Sequence, residues 1–320
     1  MRILLSRTNV IGDLVVALPI QKYILDNDPS SQIFWLVLPE AAPVLKHMPG
    51  VSGVFICYPS LMTFPYQKIF NYIKPDVLLN LHHLNQWAIP AAKKAGIPIR
   101  VAAIADGYYK KPRNLHHGLR QLFDATHIIW SKRRKSGRHE SLHVLDFLQP
   151  LGWAVPKSIP DTLSPVLTAE EIDHGKAGLQ NYLSPRLGVV LRGSGGGAYP
   201  SLLWWEKMLE ALRRVGWNPV ILSPPEESHL PPTDIRGLMA RLSACDAVLG
   251  VSTGPTHLAA ALNVPTLCLM GKRKDHGPDR WAPLGSCVET LQYLGEEDDF
   301  GSGMDRLSVD SVLAIMEKMR

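Results

Sequence analysis

Short apolar runs alternate along this chain with longer amphipathic stretches, and the alternation predicts its strands and helices. Several runs are continuous Val, Ile and Leu without polar alternates, which is typical of strands buried on both faces of a parallel sheet. Segments of helix length, such as Leu202–Val215 and Thr256–Leu262, lie between them and give a repeated βα pattern. This pattern predicts a doubly wound α/β fold with strands near Arg2–Ser6, Ile33–Leu38, Val54–Cys57, Asp76–Leu81, Arg100–Ile104, His127–Trp130, Gly188–Arg192, Pro219–Ser223, Asp246–Val251 and Pro265–Met270.

The βα pattern is interrupted once, between Gly152 and Pro165, where three prolines lie among Ser, Thr and Asp residues. Such a composition is typical of a linker, and 320 residues at about 150 per domain suit two domains. We therefore predict doubly wound domains over 1–155 and 166–320, joined by a linker over about 156–165. The segment Ser308–Met319 has an apolar face and predicts a closing helix.

Composition and charge narrow the class of protein without naming one. With 46% hydrophobic and 20% charged residues the chain is globular, and its net charge of +5 is too small to indicate a nucleic-acid partner. The excess of basic over acidic residues is concentrated in one stretch, because Ala105–Glu140 holds nine basic residues against three acidic ones. That stretch predicts contact with an anionic partner, and a solvated loop is the alternative. Its basic residues are Lys110, Lys111, Arg113, Arg120, Lys132, Arg133, Arg134, Lys135 and Arg138.

The compartment is predicted from three features of the sequence. Four scattered cysteines argue against a disulfide framework or a zinc site. No apolar run approaches the roughly 18 residues that a membrane span requires. The apolar N-terminus is interrupted by Arg7 and Asp13, so we interpret it as a first strand rather than a signal peptide. Together these features predict a cytoplasmic protein.

The first candidate site is the turn after the opening strand. In an open α/β sheet, ligands bind beyond the carboxyl ends of the strands, where Arg7, Thr8, Asn9, Gly12 and Asp13 are expected. Gly12 permits a close approach of the backbone to a ligand. Asp13 would lie at the start of the following helix, where it could cap the helix or act as a catalytic carboxylate.

The second candidate is the glycine-rich loop that follows the strand ending near Arg192. Its backbone N–H groups could converge on an anion, and Ser194, Gly195 and Gly196 lie at its centre. The spacing also fits a loose dinucleotide fingerprint, but the strand that ends at Ser223 shows no clear ribose-binding acid at its tip. A flexible loop without a ligand is the alternative.

The third candidate is the strand-to-helix turn that contains Ser252, Thr253 and Gly254. A helix that begins near Pro255 offers free N–H groups and two hydroxyls for a phosphate, with His257 on its first turn as a further donor or as a structural residue. The same residues spell the Gly-x-Ser-x-Gly pattern of hydrolases. The acid and histidine that such an enzyme needs later in the chain have no plausible spacing, which argues against a hydrolase.

The fourth candidate is the loop after the strand that ends near Met270. Its cations Lys272, Arg273, Lys274 and Arg280 could balance a diphosphate, or the lysines could belong to a solvated loop. The chain has neither a P-loop sequence nor an Asp-x-Asp pair that could hold a metal–diphosphate complex. Any diphosphate chemistry is therefore expected to use helix ends and cations rather than a metal.

Taken together, these motifs resemble those of the ADP-heptose:lipopolysaccharide heptosyltransferases, family nine of the glycosyltransferases, which are inverting enzymes with the GT-B fold. The resemblance covers most of the chain and rests on several motifs in order rather than on any single one. The motifs are Arg7…Ile11-Gly12-Asp13…Leu18-Pro19, Arg138-His-Glu-Ser-Leu-His-Val-Leu-Asp…Leu-Gly152, Gly193-Ser-Gly-Gly, Ser252-Thr-Gly-Pro-Thr-His-Leu-Ala-Ala-Ala-Leu and Asp279-Arg-Trp-Ala-Pro-Leu-Gly.

The resemblance implies two Rossmann-like domains facing a cleft, with the acceptor bound by the N-terminal domain and a nucleotide-sugar, expected to be ADP-heptose, by the C-terminal one. It implies an enzyme without a cofactor or metal in which Asp13 is the general base for an acceptor hydroxyl. The expected donor-binding residues are Arg192, Ser194, Gly195, Gly196, Ser252, Thr253, Gly254, His257 and Arg280. The expected acceptor-binding residues are Arg7, Asn9, Gly12, Lys110, Lys111, Arg113, Arg133 and Arg134.

The implied acceptor is a lipopolysaccharide core or a similar bacterial glycolipid. Its anionic groups suit the basic stretch Ala105–Glu140, and peripheral contact with the inner face of the inner membrane would follow. Without a motif of a nucleic-acid-binding module, the chain is not expected to bind nucleic acid.

The chain departs from the family pattern at two places. Ser252 stands where many members carry an aspartate that reads the donor sugar, and no lysine follows the glycine-rich loop until Lys207. Arg192, Arg280 or Lys272 could replace that lysine near the leaving diphosphate. These departures keep two alternatives open: a transferase that uses a hexose or N-acetylhexosamine donor, and a non-catalytic relative that binds a nucleotide-sugar.

Overall fold

The computed structural model describes residues 1–58, 64–82, 85, 87–105, 119, 121–131, 137–193, 198–271, 277–293 and 303–320. These residues divide into two compact units, Met1–Leu163 and Ser164–Arg320. The division falls within the stretch 156–165. Binding of the acceptor by the first unit and of the donor by the second stays a prediction.

The first unit contains a six-stranded parallel sheet in the order β3-β2-β1-β4-β5-β6. Its central strand β1 pairs with β2 and β4 and is buried after its first residue, as is typical of a strand in the middle of a parallel sheet. The strands are β1 (Arg2–Arg7), β2 (Gln32–Val37), β3 (Val51–Ile56), β4 (Val77–Asn80), β5 (Ile99–Ala105) and β6 (His127–Ser131). The helices described here are α1 (Ile11–Val15), α2 (Pro19–Asn27), α3 (Tyr66–Ile73), α4 (Ala88–Lys94) and α5 (Glu140–Leu145).

The second unit contains a five-stranded parallel sheet in the order β11-β10-β9-β7-β8. Trp205 and Met208 pack against buried strand residues such as Leu249 in a single apolar cluster. The strands are β7 (Arg186–Val190), β8 (Asn218–Ser223), β9 (Ala247–Val251), β10 (Thr266–Met270) and β11 (Val288–Gln292). The helices described here are α6 (Ala169–Gly178), α7 (Leu202–Arg214), α8 (Ile235–Ser243), α9 (Gly254–Ala261), α10 (Pro278–Trp281) and α11 (Val309–Lys318).

Each sheet has one point where the direction of winding reverses. In the first unit the chain moves outward from β1 through β2 to β3 and then returns to place β4 on the other side of β1. In the second unit β8 lies on one side of β7, and β9 follows on the other. Crevices at such switch points, beyond the carboxyl ends of the strands, are where open α/β sheets bind ligands. The switch points lie after β1 and β4 in the first unit, and after β7 and β9 in the second.

The predicted doubly wound parallel architecture is confirmed, and so is the closing helix. All ten predicted strands are present with shifted ends; β7 stops at Val190, so Leu191 and Arg192 begin the following loop. The strand β11 was not predicted, because its sequence Val-Glu-Thr-Leu-Gln is short, polar and only partly buried at the edge of the sheet. Within the described residues, no helix is both long enough and apolar enough to traverse a bilayer.

Candidate active site

Arg7, the last residue of β1, places a buried guanidinium at the switch point of the first sheet. Its Nε donates to the main-chain oxygen of Asp13 at 3.1 Å, and its Nη2 donates to Asp13 Oδ1 at 2.8 Å. Its Nη1 donates to the main-chain oxygen of Leu81, directly after β4, at 2.8 Å. The Arg7 side chain is 1% exposed, whereas that of Asp13 is 19% exposed. The two residues predicted from the first motif are thus brought together, with the carboxylate accessible.

Asp13 is not the N-cap residue that one interpretation of the sequence expected. The helix α1 begins at Ile11, and its N-cap is Val10, which has no side chain able to cap. Asp13 lies in the first turn, where the helix dipole favours a negative charge. Because Arg7 binds both the carboxylate and the main chain of this residue, it fixes the direction in which the carboxylate points.

Polar side chains also line the β1/β4 crevice. Thr8 Oγ1 lies 2.9 Å from His82 Nδ1 in a buried hydrogen bond that joins the ends of the two strands. Asn9 Oδ1 is buried, and no hydrogen-bond partner for it is found in the described part of the chain. Gly12 is buried within α1, beside Asp13. The predicted residues Asn9 and Gly12 therefore lie at this crevice, and their contact with an acceptor stays a prediction.

Glu140, the first residue of α5, joins this cluster from far along the chain. Its Oε1 lies 3.5 Å from Arg7 Nη2, and its side chain is 1% exposed. The site prediction missed this residue because 133 positions separate it from Arg7 and no local pattern links them. The signal that pointed to it was its place in the second motif of the family resemblance.

In the second unit, the loops after β7 and β9 touch each other at the switch point. A Cβ added to Gly193 would lie 2.3 Å from Cγ2 of Thr253, which is far inside van der Waals contact. A glycine at position 193 is what permits this approach. The glycine-rich loop and the strand-to-helix turn, predicted as separate candidates, thus meet at one place.

Thr253 precedes α9 as its N-cap residue but makes no side-chain capping bond. Its Oγ1 is buried and has no hydrogen-bond partner among the residues that the structure describes. Buried hydroxyls are usually paired, so this one is a ready donor to a ligand. Together with the N–H groups at the start of α9, it forms an arrangement suited to a phosphate. His257 lies one turn further and is 3% exposed; its part in ligand binding stays a prediction.

The Gly-x-Ser-x-Gly pattern has a packing role in this structure. A Cβ on Gly250 would lie 2.6 Å from Cβ of Val190, so this glycine lets β9 pack closely against β7. Two residues after the pattern, Thr256 Oγ1 donates to the main-chain oxygen of Val251 at 2.7 Å and joins α9 to β9. Ser252 hydrogen-bonds the thiol of Cys268. Burial raises the pKa of that thiol, and the hydrogen bond opposes the rise. Among the described residues, the partner of this serine is thus a thiol rather than the histidine of a hydrolase triad.

Arg192 has partners that the sequence analysis did not foresee. Its Nη2 donates to Glu226 Oε1 at 3.1 Å and to Glu227 Oε1 at 3.2 Å, both in the turn after β8. Glu226 and Glu227 lie in a short 3-10 turn after the strand. They pair with Arg192 there, and the expectation that no clear ribose-binding acid lies at the strand tip stays a prediction. With two carboxylates already beside it, Arg192 is less suited to balance a diphosphate.

The remaining candidates are spread over the second unit or lie outside the described residues. Arg280 is in α10, where its guanidinium carbon lies 5.2 Å from the ring centroid of Trp281 in a cation–π contact.

In the described part of the chain, no three His, Cys, Asp or Glu side chains are grouped so that they could hold a metal ion. The candidates outside the described residues are Ser194, Gly195, Gly196, Lys110, Lys111, Arg113, Arg133, Arg134, Lys272, Arg273 and Lys274.

Comparison with known proteins agrees with this architecture. Residues 205–299 match the model of glycosyltransferase family 9 (heptosyltransferase). A Haemophilus influenzae protein named "Putative glycosyltransferase" is 24% identical over 98% of this chain and 95% of its own. A family 9 glycosyl transferase from Veillonella parvula superposes with a TM-score of 0.77 at 15% identity, covering 99% of this chain and 96% of that one. The ADP-heptose lps heptosyltransferase II of E. coli superposes with a TM-score of 0.73 at 16% identity, covering 100% and 98%.

Two parallel α/β sheets wound in these orders, together with these neighbours, define a GT-B-like fold. The chain is a glycosyltransferase, and the resemblance to glycosyltransferase family 9, the heptosyltransferases, is confirmed.

Proposed function

We propose that this glycosyltransferase is a metal-independent inverting enzyme that moves a sugar, expected to be heptose, from a nucleotide-sugar to a lipopolysaccharide core or similar glycolipid. The observation that carries the proposal is the Asp13 carboxylate, accessible at the β1/β4 switch point and aligned by Arg7. Two similar structures support the choice of donor: one is named an ADP-heptose lps heptosyltransferase, and another, E. coli heptosyltransferase WaaC, holds ADP.

In the proposed reaction, Asp13 acts as the general base. An acceptor hydroxyl beside Asp13 attacks the anomeric carbon of the donor sugar while its proton passes to the carboxylate. A new C–O bond forms as the bond from the anomeric carbon to the diphosphate breaks, and the diphosphate leaves from the opposite face with the electron pair. The configuration at the anomeric carbon is therefore inverted. Arg7 holds the carboxylate in a fixed orientation before the proton arrives.

The donor diphosphate is proposed to bind at the start of α9. The hydroxyl of Thr253 and the free N–H groups of this helix would donate to its oxygens, and Gly193 allows the neighbouring loop to approach. Because Arg192 already faces Glu226 and Glu227, Arg280 or Lys272 suits the role of the cation that offsets the leaving charge better.

The acceptor is proposed to be an anionic glycolipid, reached by peripheral contact with the inner face of the inner membrane. The basic excess between Ala105 and Glu140 supports an anionic partner. Two aromatic side chains within the described part of the same stretch, Phe123 and Trp130, are 76% and 70% exposed. Exposed aromatic residues beside basic ones are a combination that favours the boundary between water and lipid.

A panel of donors tests the proposal. Purified protein is incubated with a lipopolysaccharide core acceptor and ADP-heptose, a UDP-hexose or a UDP-N-acetylhexosamine, and transfer is followed by mass spectrometry. We expect transfer from ADP-heptose, together with a rise in melting temperature with ADP that UDP, GDP and CDP do not produce. Transfer from a UDP-sugar alone would reject heptose and favour the hexose alternative, which the serine at position 252 already motivates.

A further inference from the structure

The second motif of the family resemblance, around Glu140, has no part in the proposed proton transfer to Asp13. We propose that Glu140 is a positioning residue that holds Arg7 and keeps its charge balanced while Asp13 takes up a proton. This inference rests on the proposed role of Asp13 as general base.

Glu140 shares one guanidinium group with Asp13. Arg7 Nη2 lies 2.8 Å from Asp13 Oδ1 and 3.5 Å from Glu140 Oε1, so both carboxylates approach the same nitrogen. Arg7 and Glu140 are each 1% exposed, and the Asp13 side chain is the most accessible of the three. The arrangement separates an accessible carboxylate, able to meet a substrate, from an enclosed one that meets only protein.

A second contact fixes α5 against the helix that carries Asp13. The hydroxyl of Ser141 donates to the main-chain oxygen of Val16, the C-cap residue of α1, at 2.6 Å. The ring of His139 accepts from the main-chain N–H of Ser141 and caps α5. The start of α5 therefore contacts the chain on both sides of α1, at Arg7 before the helix and at Val16 after it. These two contacts fix the position of α1, which carries Asp13.

The charges explain why a buried carboxylate is useful here. When Asp13 accepts a proton it becomes neutral, and the buried guanidinium of Arg7 loses that counter-charge. A buried charge without a partner is costly, so without a second carboxylate the guanidinium would resist protonation of Asp13. Glu140 stays beside Arg7 as a second counter-charge, which makes proton uptake by Asp13 easier.

Several titratable groups surround the cluster, and the test must hold them constant. In the described part of the chain they include Arg7 on β1, Glu140 and its neighbour His139 at the start of α5, and His82 after β4, which binds Thr8 beside Arg7. A variant that changes Glu140 alone leaves the others in place. A difference from the wild type then reports the charge at position 140.

The first experiment measures the Asp13 carboxyl directly, without any substrate. The full chain is labelled at aspartate Cγ, the Asp13 signal is assigned with Asp13→Asn, and its titration is followed by NMR in the wild type and in Glu140→Gln. We expect the midpoint in Glu140→Gln to fall by about one pH unit, because Arg7 then acts on Asp13 undiminished. An unchanged or raised midpoint would overturn the proposal.

The matched control is Asp146→Asn, which removes another carboxylate of the same segment. Asp146 pairs with Arg138 and His143, so the Asp13 midpoint should not move. Should Glu140→Gln fail to fold, Glu140→Asp, which withdraws the charge by one methylene, is titrated instead. A smaller fall in the midpoint then supports the proposal, and no fall rejects it.

The second experiment separates this inference from the proposed function. With ADP-heptose and a lipopolysaccharide core acceptor, kcat of Glu140→Gln should fall about three- to tenfold while KM for the donor is unchanged, since general-base efficiency follows basicity. A fall in kcat accompanied by an equally large rise in KM for the donor would indicate a structural role only and reject the proposal. If the wild type transfers none of the tested sugars, the proposed function fails, whereas the NMR titration still decides the role of Glu140.

Discussion

At the scale of single residues, the geometry around Arg7 explains why an arginine is suited to the end of β1. Its Nε, Nη1 and Nη2 donate in different directions, to Asp13 and to the main-chain oxygen of Leu81. A lysine presents a point charge on a flexible stem and could not reproduce this fork. The carboxylate of Asp13 is therefore oriented by a rigid neighbour, which leads to a first prediction.

Asp13→Asn keeps the size of the side chain and an oxygen that can accept from Arg7, but it cannot take up a proton. We expect the rate of transfer to fall about a hundredfold or more. Binding of ADP, measured by calorimetry, should be unchanged. The control Asp26→Asn alters an exposed carboxylate on α2 and should retain full activity. Transfer by Asp13→Asn at the rate of the wild type would contradict the assignment of the base.

A second prediction concerns the hydroxyl of Thr253, which lacks a protein partner in the described part of the chain. Thr253→Val removes it without breaking a hydrogen bond, so stability should change by less than about 0.5 kcal/mol, whereas ADP should bind about tenfold more weakly. Thr256→Val is the matched control, because its hydroxyl donates to Val251 and its loss should cost about 1 kcal/mol. Urea denaturation and calorimetry measure both quantities. Unaltered ADP affinity in Thr253→Val would place the diphosphate elsewhere.

At the scale of elements, the strand order explains which candidate residues meet. The switch points bring the end of β1 beside that of β4, and the end of β7 beside that of β9. Gly193 and Thr253 therefore touch, although about sixty positions separate them in sequence. The apolar runs predict the strands because buried parallel strands are continuous in sequence. The edge strand β11 was not predicted in this way because it has no continuous apolar run, since a half-buried edge strand tolerates polar residues.

A third prediction concerns the segment that follows α5 and depends on pH. Burial alone would raise the pKa of Asp146, but hydrogen bonds and charge from His143 and Arg138 outweigh it, so this pKa is lowered. A carboxyl with a lowered folded-state pKa stabilises the fold above its unfolded value, near 3.9, and that stability is lost as pH falls through the folded value. Asp146→Asn should therefore cost about 1–2 kcal/mol at pH 7 and less at pH 3.

Urea denaturation of the wild type and of Asp146→Asn at pH 7, 5 and 3 measures this effect. The control is Asp173→Asn, which changes an exposed carboxylate on α6 and should leave stability nearly unaltered at each pH. A cost for Asp146→Asn that is constant from pH 7 to pH 3 would show that its charge contributes nothing.

At the scale of the whole molecule, local patterns and distant contacts differ in how far the sequence predicts them. The α/β class follows from periodicity within short windows, and both sheets confirm it. The pairing of Arg7 with Glu140 and that of Arg192 with Glu226 join residues 133 and 34 positions apart, and no local pattern encodes either. The site could thus be predicted as a set of loops, while its electrostatic partners required the folded chain.

The distribution of charge over the whole chain carries the last prediction. The net charge of +5 arises largely in Ala105–Glu140, the stretch that also exposes Phe123 and Trp130. If this stretch meets an anionic membrane, each basic side chain near the surface contributes about 1 kcal/mol to binding. Reversing two of them, Arg133→Glu with Arg134→Glu, should therefore weaken binding to phosphatidylglycerol vesicles at least about tenfold.

The control must separate local from overall charge. The double variant Arg213→Glu with Arg214→Glu makes the same change in charge at the end of α7 in the second unit. It also replaces two arginines, and both are exposed. If the basic stretch is the contact, this control binds vesicles as the wild type does, and binding of the wild type declines as salt screens the charges. Equal loss in both double variants would mean that net charge alone drives association, and the stretch would then have no special part in reaching the acceptor.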